Sequence, residues 1–138
     1  MAGMKRLILA AVTSVSLVLP AVAESRVPLQ EDKVLDDGLT IVAAVNYLRR
    51  NCDTVGLRVL RSWVAAQGLK NRALELGYDR AEIEVYFNDE AQKARVKAQA
   101  KAYLEARGVV WDDPASFCTY ARTAVAADKG VGRYIYLK

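Results

Sequence analysis

The sequence predicts an all-α fold: a small four-helix bundle held by one disulfide, with a short extended C-terminal tail. Three observations predict it. Apolar residues recur every three to four positions through most of the chain beyond residue 31. Aspartate, proline and glycine stand where such helices must begin and end. The 138 residues include two cysteines and no histidine, so a single intramolecular pairing is available and the cysteines lack their usual activating base.

The N-terminus reads as an export signal. Lys5 and Arg6 precede an uncharged apolar run from Leu7 to Leu19, Pro20 ends it, and small residues stand at Ala21 and Ala23. The run is shorter than the roughly 20 residues that span a bilayer. Residues 1–23 are therefore expected to be a signal peptide cleaved between Ala23 and Glu24, the rival being an uncleaved anchor. Residues 24–138 remain as a single helical domain, expected to be soluble and periplasmic or secreted. Loss of Lys5 and Arg6 lowers the formal net charge from +4 to +2. That excess is small for a nucleic-acid-binding domain, and export argues against that partner too.

The first helix is predicted over 31–50, with Val34, Leu35, Leu39, Val42, Val45 and Leu48 on one face. Arg49 and Arg50 fall in its last turn, where cations meet the negative end of the helix dipole. Asp53 or Thr54 is expected to cap a second helix reaching Leu76, with Leu57, Leu60, Val64, Leu69, Ala73 and Leu76 buried and Gly77 as a left-handed stop. In "GYDRAEIEVYF" Asp79 caps a third helix, and Glu82 supplies the reciprocal member of a capping box. That helix is predicted over 80–107, with Asn88-Asp89 as the place for a kink or break and Gly108 as its stop. Ile83, Phe87, Ala91, Ala94, Ala98 and Ala102, beside Leu104, form its expected inward stripe. Asp113 and Pro114 begin a fourth helix, and Gly130 lies beyond its end. The closing "VGRYIYLK" alternates in a way that favours extended chain.

In an oxidising compartment an even cysteine count in a small exported domain reads as a disulfide. Cys52 closes the first helix and Cys118 lies early in the fourth, so the bridge would tie those two ends together. In the chain-entropy account a closed loop of that length is worth roughly 4 kcal/mol. A redox pair is the rival reading, but the C-x-x-C spacing that lowers a thiol pKa is missing.

The order "NC", "LGY" before an acidic helix start, "KARVKAQAKAYLEARGV" and "FC" resembles a group of small exported helical proteins of alphaproteobacteria classed as a domain of unknown function. The resemblance spans the mature chain and carries no motif of known chemistry. It implies a periplasmic helical protein with paired cysteines.

The catalytic inventory is short. Without histidine, Ser-His-Asp, Cys-His and H-E-x-x-H arrangements are impossible, and neither a Walker-type nor a dinucleotide-binding glycine loop occurs. Asp89, Glu90, Asp112 and Asp113 could form a carboxylate pair, but Asp113 reads better as a cap and Asp89 as an i,i+4 partner of Lys93. The stretch "EDKVLDDG" lacks the ligand positions and closing glutamate of a calcium loop. No catalytic residue, metal site or cofactor is expected.

Two features could bind. Lys93, Lys97 and Lys101 recur every four residues as a basic ridge, either a solvated face or an attraction for an acidic partner or anionic headgroups. Tyr134 and Tyr136 in the tail either pack on the bundle or contact a partner. The expected function is a non-enzymatic periplasmic interaction protein, an accessory subunit or adaptor of an envelope complex, with another envelope protein as partner and peripheral membrane contact as the lesser outcome. The alternative, a small-ligand or lipid-binding bundle, needs an apolar cavity between helices. The alanine stripe argues instead for tight packing.

Overall fold

The computed structural model describes residues 25–138, and the signal peptide expected over 1–23 lies outside them. A 3-10 turn at Leu29–Glu31 leads into α1 (Lys33–Asn51), β1 (Val55–Leu57), α2 (Val59–Glu75), α3 (Arg80–Asn88), α4 (Glu90–Glu105) and α5 (Pro114–Ala127). A second 3-10 turn at Gly130–Arg133 precedes β2 (Ile135–Leu137). The fold is mostly helical, as expected, but with five α-helices among the described residues rather than four, and a small two-stranded sheet.

Local chemistry explains most of the helix ends. Asp32 caps α1 by accepting from Leu35 N–H, and Arg49 and Arg50 occupy its last turn. Asp79 and Glu82 make both hydrogen bonds of the capping box. Asp113 caps α5 with Pro114 in the first turn. Gly77 and Gly108 adopt φ of 90° and 89° where α2 and α4 stop, a conformation that costs side-chain-bearing residues energy.

The helix expected over 80–107 breaks at Asp89, within the Asn88-Asp89 pair expected as the place for a kink or break. This residue is extended (φ −64°, ψ 126°) and caps α4 by accepting from Gln92 N–H, so it starts a helix rather than pairing with Lys93. The break resets the phase of α4 relative to α3. Ala91, Ala94, Ala98 and Ala102 face solvent, while Ala100 and Leu104 are buried. Ala44 on α1 and Ala100 on α4, both fully buried, belong to the same core cluster and let those helices approach closely.

A second departure lies between α1 and α2. Residues 55–57 pair antiparallel with β2 in the register Val55–Leu137, Gly56–Tyr136 and Leu57–Ile135. The helix capped by Asp53 or Thr54 is therefore replaced by a strand, and α2 begins after Arg58 with no side-chain cap. Arg58 N–H donates to Tyr134 O and its Nε to Ile135 O, which extends the pairing. Only the end of the tail, Ile135–Leu137, is extended as expected, because β1 gives its backbone groups partners; Val131–Arg133 instead belong to the 3-10 turn.

α1 is the hub, packed against α2, α4 and α5. The larger core cluster unites Val45 and Leu48 with Leu104, Phe117, Val131 and Ile135, and the smaller unites Leu29, Leu35, Ala73 and Ile83. The disulfide joins Cys52, immediately after α1, to Cys118 in α5 with Cα atoms 5.3 Å apart. Half-buried polar groups tie α4 to α1: Arg95 Nη1 donates to Asp36 Oδ1 at 2.6 Å and Gln99 Nε2 to Asp36 Oδ2 at 2.9 Å.

Candidate functional site

Four residues expected in the core are at the surface instead. Val34 and Val42 on α1 are 61% and 51% exposed, and Leu60 and Val64 on α2 are 74% and 57% exposed. Periodicity located apolar stripes on both helices but not what covers them. α2 carries apolar residues on two sides, and the side with the smaller residues, Ala65, Leu69 and Ala73, turns toward α1.

Between α1 and α2 runs a groove of about 730 Å³. Ile41, Val42 and Val45 line it from α1, and Ala65, Ala66 and Leu69 from α2. Leu69 packs directly on Gly38, in space that a Cβ would need, so the two helices touch there. Leu57 of β1 and Tyr134, immediately before β2, also line the groove, as do Arg49 on α1 and Arg133 in the second 3-10 turn. Neither guanidinium has an ion-pair or hydrogen-bond partner among the described residues. The Ser62 hydroxyl, also in the lining, is buried without a hydrogen-bond partner. No sequence signal located the groove, although the exposed Val34 and Val42 belong to the stripe that the sequence marked.

On the outer side of α2, Val59, Leu60, Trp63 and Val64 form an apolar surface over its first two turns, with Trp63 60% exposed. Arg61, between them in sequence, is engaged: it donates to Asp128 Oδ1 and to Arg133 O.

The basic ridge is largely compensated. Lys93 Nζ lies 2.9 Å from Glu90 Oε1, and Lys101 Nζ lies 3.7 Å from Glu105 Oε1 and 5.2 Å from the Trp111 ring centroid. Lys97 is exposed. The two tail tyrosines part company: Tyr134 is half-buried and lines the groove, whereas Tyr136 is exposed and lies over Gly56. Cys52 and Cys118 are bonded to each other, so neither offers a thiol.

The candidate carboxylates do not converge on a site. Asp89 and Asp113 cap helices, and Glu90 pairs with Lys93. Among the described residues no group of three or more metal-ligating side chains stands together. The perturbed titrations have structural causes. The hydrogen bonds from Arg72 and from Leu35 N–H hold the Asp32 carboxyl below its usual range despite burial. The Arg26 guanidinium and the Asp79 N–H bring Glu82 down to about 2. Burial, with Tyr103 beside it, pushes the Tyr120 hydroxyl above its ordinary range.

Fold and groove define a class, a small disulfide-stapled helical domain with a largely apolar groove along α1. The chain belongs to the DUF5333 family, a family of unknown function, whose model matches residues 27–136. No curated protein and no solved structure matches it.

Proposed function

We propose that this protein is a non-enzymatic interaction protein of the periplasm, an accessory subunit or adaptor whose partner docks on the outer face of α2. The observation that carries this reading is the solvent-facing group Val59, Leu60, Trp63 and Val64. Large apolar side chains gathered on consecutive turns mark contact surfaces, and tryptophan is prominent among residues that dominate binding energy. The oxidised Cys52–Cys118 pair fits an exported protein. The paired lysines of α4 make a weaker candidate surface, because exposed charges that already have partners gain little from another.

The test is native capture from the host's periplasm with the parent and a Leu60→Ser/Trp63→Ser variant. Both substitutions lie at the surface and should leave the helical signal unchanged. A stoichiometric protein retained by the parent and lost with the variant supports the reading. Equal recovery on both, or recovery of neither, overturns it.

A second reading, a ligand- or lipid-binding bundle, is favoured by the groove between α1 and α2. The alanine stripe that argued against such a cavity does not face the interior, so that objection falls.

A further inference from the structure

We propose that the α1–α2 groove binds one acyl chain of an anionic amphiphile, with its carboxylate or phosphate head held between Arg49 and Arg133. This rests on the ligand-binding reading and gives it a chemistry. The volume of about 730 Å³ lies within the roughly 300–1,000 Å³ of ordinary ligand sites. Its lining follows α1 from Val34 to Arg49, a helical rise of about 22 Å, with Leu69 packed on Gly38 along the way. Between Gly38 and Arg49 the α1 lining is Ile41, Val42 and Val45, followed by Asn46.

The charge pattern gives the ligand its direction. Arg49 and Arg133 meet the groove from different elements, α1 and the second 3-10 turn. Arg61, by contrast, is already bound to Asp128. Guanidinium groups match carboxylate and phosphate oxygens in geometry as well as charge. The only carboxylate among the described lining residues, Asp37, stands toward the end of the groove away from Arg49 and pairs with Lys33 at 2.6 Å. A negative head is therefore favoured at the arginine end and disfavoured at the other. The tail covers Val42, an α1 stripe residue left 51% exposed.

Calorimetric titration of the folded, oxidised protein with hexadecanoate, below its aggregation concentration, tests the assignment. Saturable one-to-one binding is expected, weakening as salt rises. Arg49→Gln/Arg133→Gln should weaken it at least tenfold while leaving the weaker binding of uncharged hexadecanol unchanged. Val42→Glu, at an exposed wall position, should abolish both without loss of helical signal. A single-chain lysophospholipid with a phosphate monoester head distinguishes the two sources of oxyanion: tighter binding of either ligand supports the proposal and names the head. Equal affinity for hexadecanoate and hexadecanol overturns the arginine assignment but leaves the ligand-binding reading. No binding of any amphiphile overturns both, as does a concentration-dependent dimer that Val42→Glu disperses, because the groove would then be an interface between copies.

Discussion

Asp32 accepts hydrogen bonds from Leu35 N–H at 3.0 Å and from Arg72 Nη2 at 2.6 Å, so one buried carboxylate both caps α1 and fastens α2 to it. Leu29, Leu35 and Ala73 pack in the cluster beside it. The two helices that form the groove are thus joined at one end by an ion pair.

Replacing Asp32 with asparagine keeps a good cap but removes the charge facing Arg72. The Asp32→Asn variant should lose about 1–3 kcal/mol in denaturant unfolding, and Asp32→Ala about 1 kcal/mol more through the lost cap. Equal losses for the two would show that the cap contributes nothing.

Acid should unfold the protein through the same kind of group. Asp32 and Glu82 both have depressed folded-state pKa values, so their stabilisation is present above the unfolded values and is lost as pH falls through the folded ones. For Glu82 that window runs from 4.5 down to about 2. Melting temperature should fall across it, and Glu82→Gln should flatten the slope. An unchanged slope in Glu82→Gln would assign the acid sensitivity elsewhere.

The disulfide closes a sequence separation of 66 residues. Thiol titration of the denatured, unreduced protein should find none. The Cys52→Ala/Cys118→Ala variant should lose about 2–4 kcal/mol and melt well below the parent. Stability unchanged by the double substitution would mean that the bridge is not a staple.

Gly132 is buried with its α-carbon against the last turns of α5, where a Cβ would overlap the Ala124 carbonyl oxygen. Backbone cannot yield as a side-chain tip can. Gly132→Ala should cost about 3 kcal/mol or more, whereas Gly56→Ala, whose new methyl meets the movable ring of Tyr136, should cost less. The reverse order in thermal melts would contradict the packing of the second 3-10 turn.

Lys93, Lys97 and Lys101 repel one another along α4, and two of them are offset by Glu90 and Glu105. Changing all three to glutamine should alter stability by no more than about 0.5 kcal/mol and leave association unchanged. Loss of a partner or of vesicle binding on this change would move the contact surface from α2 to α4.

Features that depend on a few neighbouring residues were legible in the sequence. The Asp79–Glu82 capping box, the stops at Gly77 and Gly108 and the Asp113-Pro114 helix start all reside within one turn of the chain. The cysteine pairing was legible because two cysteines allow a single intramolecular bridge. The break at Asp89 was readable only as a candidate, since aspartate can cap a new helix or sit on the surface of a continuous one.

Tertiary structure decided which faces are buried and where the tail goes. Alanine fits core and surface alike, so the phase of α4 was settled by Ala44 and Ala100 allowing close approach rather than by its alanine pattern. α2 is apolar on two sides, and its contact with Gly38 turned Leu69 inward and left Trp63 outside. Residues 55–57 became a strand because Ile135–Leu137, about eighty positions away in sequence, supplied the hydrogen-bond partners. The groove exists because the chain closes α2 over α1 at Gly38 without filling the space beside it. Such outcomes depend on what lies opposite a residue in space, and local pattern carries no record of that.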